Sequence, residues 1–305
     1  MLNIDSYFEV GTSHHVCEDF TLHGETKMDD GRSLQYLIIT DGCSSSMMPH
    51  GIRSPINVDT GARLMAISAR CAIVEAAEMG IEGSIEMSRH LGGSILSKLK
   101  VFTATLGLPV DILDCTLLIT IAIDQQPQYS FLWGDGVVVT QYDSPKATVI
   151  QSVEYESNAP YYLSYLLCPD KRKRYDEKFG SMDRIVSKTV LDENLESIYN
   201  DEKYLAYNSG PIVFLCGSDL NITAGIGISG EPVSISIMSD GVQSYRKGQE
   251  DVSFIDMSSR LVCFKNKVGS FTTKKMNLVN RWCRQEGITH YDDFSMASMV
   301  VKNDA

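Results

Sequence analysis

The sequence predicts an α+β fold in which two packed antiparallel β-sheets have α-helices packed outside them. Two observations carry this prediction. Strand-like runs come in groups rather than alternating with single helices, in the order strands, two helices, strands, an irregular segment, strands, two helices, strand. Several runs are continuously apolar, notably residues 37–40 and 115–123, as expected of buried strands. A doubly wound nucleotide-binding sheet is disfavoured by that order. Neither a Gly-x-x-x-x-Gly-Lys-Ser/Thr cradle nor a Gly-x-Ser-x-Gly elbow occurs.

Taken in order, residues 7–10 alternate as a strand, Gly11-Thr12-Ser13 turns the chain, and residues 14–20 read as a second acidic site. Asp29-Asp30-Gly31 reads as a hairpin turn leading into the strand that ends in Thr40-Asp41-Gly42. Residues 42–57, rich in Ser, Pro, Met and Gly, read as a loop. From Val58 a helical stripe takes over (Ala62, Met65, Ala69, Ala72, Ile73, Ala76), with Asp59 and Thr60 as capping residues and an end near Gly80. A second helix covers residues 84–106, with Gly92-Gly93 as a weak point or break. Residues 115–123 and 129–133 pair as a hairpin, and 137–142 and 148–153 continue a meander. Residues 154–208 are the least readable. They hold four tyrosines from Tyr155 to Tyr165 and the basic run Lys171-Arg172-Lys173-Arg174, read as a solvated loop. Strands resume at 211–216 and before Asp240, with 217–230 as a connection. Helices at 251–264 and 271–284 and a strand at 294–301 complete the chain. We expect a single domain over residues 1–305, with an insertion or flap-like segment at about 154–209.

Composition limits the function classes. Hydrophobic residues make up 43 % of the 305 and charged residues 22 %, as in ordinary globular proteins. No apolar run approaches the roughly 20 residues of a membrane span, and the N-terminus lacks a secretory pattern, so a cytoplasmic location without membrane contact is expected. The eight cysteines are scattered singly with no Cys-x-x-Cys pair, which fits reduced thiols packed as small hydrophobes. A net charge of −12 repels phosphate backbones, so nucleic acid is not an expected partner.

The chemistry gathers at acidic ends of strands. Asp41-Gly42, Gly134-Asp135-Gly136, Asp240-Gly241 and Asp292-Asp293 each stand at an edge of an apolar run. One Asp-Gly is ordinarily a turn. Four acidic strand ends together supply what hard divalent cations require, oxygen ligands held together against their own repulsion. His14, His15, Cys17, Glu18 and Asp19 offer a competing zinc set, but neighbours in a strand face opposite ways and cannot all converge.

In their order these motifs resemble the PP2C family (PPM type) of metal-dependent serine/threonine protein phosphatases, over nearly the whole chain. Cys17-Glu18-Asp19-Phe20 resembles the family's early Glu-Asp motif, and Thr40-Asp41-Gly42 its metal-bridging Asp-Gly. Leu113-Asp114-Cys115-Thr116 stands where the family has Gly-Thr-Thr, and Trp133-Gly134-Asp135-Gly136 is similar to its Gly-Asp-Ser/Gly hairpin. Met238-Ser239-Asp240-Gly241 and Tyr291-Asp292-Asp293-Phe294 resemble its last two motifs. A bacterial branch with a Gly-x-Ser-His opening is the nearer likeness, through Gly11-Thr12-Ser13-His14 and Asn158-Ala159-Pro160-Tyr161-Tyr162-Leu163.

The resemblance implies an α-β-β-α sandwich, two Mn²⁺ or Mg²⁺ ions with a possible third weaker site, and hydrolysis of phosphoserine or phosphothreonine by a metal-activated water. It implies that Asp41 bridges the metals, that Asp240 and Asp292 complete one site, and that Glu18 and the Gly42 carbonyl support the other. Asp19 is then a direct metal ligand or supports the ligands from behind, and Asp135 helps hold a third ion. The implied partner is a phosphorylated protein, with a cognate Ser/Thr kinase. Departures are also visible. His14 stands where many members carry a phosphate-binding arginine, and Cys43 where many carry a proton-donating histidine, for which His15 or His50 is a substitute. Ser244 replaces an acidic residue tied to the third metal. Two other readings stay open: a PP2C-like module that binds a phosphoprotein with little or no hydrolysis, and a phosphatase for a small phosphorylated metabolite or nucleotide.

Overall fold

The structure, a computed structural model, describes residues 2–43, 58–143, 146–180, 183–206, 210–216 and 231–301. Strands β1 (Leu2–Glu9), β2 (Phe20–Lys27) and β3 (Ser33–Gly42) precede helices α1 (Val58–Glu78) and α2 (Ser84–Leu106). Strands β4 (Cys115–Ile123), β5 (Gln126–Trp133), β6 (Gly136–Asp143) and β7 (Lys146–Tyr155) follow, then helix α3 (Pro169–Phe179). Next come β8 (Asp183–Leu191), β9 (Ser197–Ala206), β10 (Ile212–Leu215), β11 (Pro232–Met238), β12 (Tyr245–Lys247) and β13 (Glu250–Asp251). Helices α4 (Phe254–Val262) and α5 (Phe271–Glu286) and strands β14 (Ile288–His290) and β15 (Phe294–Val301) end the chain.

Two antiparallel sheets form the centre, a seven-stranded one in the order β1-β15-β11-β6-β7-β8-β9 and a five-stranded one in the order β10-β5-β4-β3-β2. A small sheet, β13-β12-β14, stands apart from both. Alternation along each strand explains the layering. In β3, Leu34, Tyr36 and Ile38 pack with α1 and α2, while Leu37 and Ile39 face the other sheet. In β6, Val137 and Val139 meet residues of α4 and α5, while Val138 faces inward between the sheets. Both faces are therefore buried, and the strand centres Leu37-Ile38-Ile39 and Val137-Val138-Val139 are apolar without alternation. The predicted α+β sandwich is the observed fold. No helix among the described residues is long and apolar enough to cross a membrane.

Several local expectations change. Helix α2 runs through Gly92-Gly93 without a break, because its stripe Met87, Leu91, Ile95 and Leu99 is fully buried and that burial outweighs the two glycine penalties. The basic run lies in α3, not in a loop, and Lys171 pairs with Asp111 and Asp114 beneath it. Residues 10–19 form no strand. The irregular region supplies β8 and β9, which extend the seven-stranded sheet from β7. Gly225-Ile226-Gly227-Ile228-Ser229-Gly230 has the spacing of a dinucleotide-binding turn, but it precedes a strand rather than a helix and lies outside the described residues. The expected loop at 44–57, the connection at 217–230 and His50 also lie outside them.

Helix α1 approaches the chain ahead of β4 so closely that a Cβ on Gly61 would sit 1.5 Å from the Ile112 carbonyl oxygen. Gly61→Ala must push α1 off its seat and should cost about 3 kcal/mol or more, the upper range for overpacking. Denaturant unfolding checks this; a loss under about 1 kcal/mol would contradict the packing described.

Candidate metal centre

The acidic residues collect at one end of the sandwich, where the chain passes between sheets. Residues 10–19 connect β1 of the seven-stranded sheet to β2 of the five-stranded one, and Gly134-Asp135-Gly136 connects β5 to β6. The latter is a sheet-to-sheet crossing and not the hairpin suggested by its sequence, since β5 pairs with β4 and β10 while β6 pairs with β7 and β11. Gly136 has φ +139°, and a Cβ there would lie 3.1 Å from both Leu118 Cδ1 and the Met238 carbonyl oxygen. Only glycine fits such a crossing. Asp41 closes β3 opposite Thr116 of β4. Asp240 opens a 3-10 turn (Asp240–Gln243) just past β11, and Asp292 stands two residues before β15. A Cβ on Gly241 would lie 1.8 Å from the Asp293 carbonyl oxygen, so glycine lets these two segments touch.

Between them lies a cleft of ≈ 170 Å³ lined by Asp41, Gly42, Asp135, Asp240 and Asp292, with Cys43, Thr116, Asn158, Pro160 and Tyr162 as its other wall. Asp19 is buried beside it at 1 % exposure. Burial pushes Asp19 up to about 7, and the Asp240 charge adds to this against the pull of Ser295 and Ser239. Asp41 is raised well above the ordinary carboxylate range by burial, then by Asp19 and Asp240. Burial and Asp240 raise Asp135 in the same way, and burial and Asp240 also raise Asp292. Asp240 is the charge that all four share. Neither carboxylate oxygen of Asp19 has a well-aligned hydrogen-bond partner within the protein.

A second group forms around Asp293, which is 2 % exposed. Its Oδ1 accepts from the Gly11 N–H at 2.8 Å, and its Oδ2 accepts from the Glu18 N–H at 2.5 Å. His14 Nδ1 lies 3.0 Å from Asp293 Oδ2, and its Nε2 lies 3.6 Å from Asp292 Oδ1. Burial works against the imidazolium, but Asp293, Asp292 and Glu18 outweigh it and raise the His14 pKa above its ordinary value. Donor atoms of His14, Glu18 and Asp293 all lie within 4.8 Å of one another, a set able to hold a cation. Ser244 fixes the neighbouring turn by accepting from the Tyr291 and Asp292 N–H groups at 3.3 and 3.1 Å.

Of the residues expected from sequence, Asp41, Gly42, Asp135, Asp240 and Asp292 line one cleft, with Asp19 behind them. His14 and Glu18 instead meet at Asp293, and His14 does not line the cleft. Asp293 was missed as a site residue, although the doubled Asp292-Asp293 was the visible signal. The donor set suits a hard cation: oxygens dominate, and the buried carboxylate of Asp19 needs a counter-charge. A thiolate set is disfavoured, because burial and then Asp19 and Asp293 push the Cys17 thiol up to about 12. Cys43 lies in the cleft wall, and His15 is exposed.

The sequence matches no protein-family model, and a search of curated proteins gives no match either. Solved structures do match. A bacterial serine phosphatase aligns over 100 % of both chains at 10 % identity with a TM-score of 0.50. The Staphylococcus aureus serine/threonine phosphatase Stp1 aligns over 99 % of this chain and 96 % of its own, at 11 % identity and a TM-score of 0.47. The catalytic domain of the serine/threonine protein phosphatase PstP, in complex with two manganese ions, aligns over 99 % of both chains at 11 % identity and a TM-score of 0.39. The first of these likenesses shows that this chain has, over its full length, the fold of a bacterial serine phosphatase.

Proposed function

We propose that this chain is a Mn²⁺- or Mg²⁺-dependent phosphatase that hydrolyses phosphoserine or phosphothreonine in a protein substrate. One observation carries the reading: five carboxylates from separate segments crowd one cleft and its buried rim, at a cost in charge repulsion that a structural role does not require. Asp41, Asp240 and Asp292 are the residues that would hold the principal cations, supported by the Gly42 carbonyl and Asp19, with Asp135 toward a further, weaker ion and Glu18 held at Asp293 beside them. Bound there, divalent cations supply a clamp for phosphoryl oxygens and lower the pKa of water.

The chain's own residues do the positioning. Asp293 ties Gly11, His14 and Glu18 to the start of β15 and so fixes the first crossing against the cleft. Thr116, Asn158 and Tyr162 present neutral polar groups toward a substrate. Burial holds the Tyr162 hydroxyl protonated, which keeps it a donor. The kinase that phosphorylates the substrate is read from the same chemistry as a Ser/Thr kinase.

A second reading has its own support. No Arg, Lys or His among the described residues lines the cleft, and His14 is engaged by Asp293 and Asp292. A phosphoryl dianion there depends wholly on cations for its counter-charge, as suits a PP2C-like module that binds phosphoprotein but turns it over poorly. Cation binding without hydrolysis of a phosphothreonine peptide or an aryl phosphate selects this reading. Faster turnover of a small phosphate ester than of phosphopeptides selects a metabolite substrate instead.

Asp41→Asn should lower Mn²⁺-dependent hydrolysis of a phosphothreonine peptide at least about a hundredfold, while wild-type turnover stops with chelator. Unchanged turnover in the variant contradicts the assignment.

The raised carboxylates also set a stability signature. With pKa values higher folded than unfolded, the metal-free protein binds more protons folded than unfolded over roughly pH 4 to 7, so its stability falls as pH rises through that window. Thermal melts in chelator should therefore drop between about pH 4 and 7, and Mn²⁺ should restore more at the upper end. A melting temperature that rises over this range without metal contradicts the cluster's electrostatics.

A further inference from the structure

Away from the cleft, the outer layer formed by α4 and α5 differs in charge from the rest of the molecule. The chain carries a net charge of −12, yet residues 260–284 contain seven basic side chains and no acidic one. This stretch spans the end of α4, the connection and most of α5. A cavity of ≈ 670 Å³ opens there, the size of ordinary ligand pockets. Val252, Met257, Trp282 and Ile288 supply its apolar wall, and Arg260, Lys265 and Lys275 its cationic one.

The two walls are joined, since the Arg260 guanidinium carbon lies 3.8 Å from the centroid of the Trp282 ring. Lys275 is half-buried, and its pKa is lowered by burial, with like charge from Arg260 and Lys265 adding to the shift. Of the four acidic residues on the cavity, Glu250 and Asp251 form β13, Asp256 lies in the first turn of α4 and Glu286 ends α5, and two of them are already paired. Asp251 accepts from Arg246 at 2.7 Å, and Glu286 accepts from Lys247 at 3.1 Å. Among the described residues, Arg260, Lys265 and Lys275 form no ion pair. Three crowded cations beside an aromatic plate complement an anion carried next to an apolar group. Glu250 and Asp256 on the same cavity disfavour a broad anionic surface such as a membrane or a nucleic acid.

We propose that this cavity docks an acidic segment of a protein partner, with its anionic groups over Arg260, Lys265 and Lys275 and an apolar side chain against Trp282. The site is separate from the cleft and does not depend on hydrolysis. Trp282 makes it testable, because the only other tryptophan, Trp133, is 4 % exposed in the core under α1 and α2.

The full chain is titrated with a labelled glutamate-rich peptide bearing one central leucine, and with its lysine-rich counterpart, by tryptophan emission and peptide anisotropy. Saturable binding of the acidic peptide alone is expected, weakened at least about tenfold in Lys265→Glu/Lys275→Glu and by added salt. Trp282→Phe should lose the emission change while anisotropy still reports residual binding. Aryl phosphate hydrolysis should be unaltered in the charge variant, so failure of docking and failure of the phosphatase reading are told apart. No saturable binding, equal binding of the lysine-rich peptide, indifference to the charge reversal, or tighter binding of anionic vesicles or single-stranded DNA each overturns the proposal.

Discussion

Mutual repulsion among clustered carboxylates, two of them buried, is the constraint on which this end of the molecule depends. Asp19, Asp41, Asp135, Asp240 and Asp292 come from separate parts of the chain, and the sandwich brings them together against their charge. The core can bear that cost because it is large. Three apolar layers, under α1 and α2, between the sheets, and under α4 and α5, hold the strands in fixed register. Register at the strand ends then fixes the carboxylates. A one-residue slip of β3 would turn Asp41 away from the inter-sheet side that it shares with Leu37 and Ile39.

Crossings between the sheets give the site its shape. A strand interior presents its side chains to a packed layer, whereas a crossing leaves backbone and side chains at the sandwich rim, where polar groups can converge. Glycines make those crossings possible. Gly11 approaches the Asp292 carbonyl group, with a Cβ position 2.2 Å from its carbon, and Gly241 meets Asp293. Through these contacts and the bonds to the Asp293 carboxylate, the first crossing and the start of β15 behave as one unit.

Much of this was legible in the sequence, for identifiable reasons. Buried strands such as β4 and β15 read directly, because each is a largely apolar run too short for a helix and bounded by turn or acidic residues. Helix α5 was marked by its stripe and by Gly287, whose φ of +70° ends it. The acidic strand ends of the cleft were visible because each follows or precedes such a run. What stayed hidden depends on contacts distant in sequence. Nothing local shows that Gly134-Asp135-Gly136 changes sheets, since a hairpin and a crossing use the same glycines. Strands β8 and β9 mix polar with apolar residues at the sheet edge, and α3 rests on tertiary support from Tyr175 and Lys171. Asp293 became a site residue only through its partners 275 and 282 positions away.

The central claim is that the crowded carboxylates exist to hold divalent cations in the cleft. Anomalous diffraction at the manganese edge, from crystals grown with Mn²⁺, tests it most directly. Anomalous density is expected between Asp41, Asp240 and Asp292. Density confined to the His14, Glu18 and Asp293 group, or none at all in crystals that diffract well with saturating Mn²⁺, would contradict it.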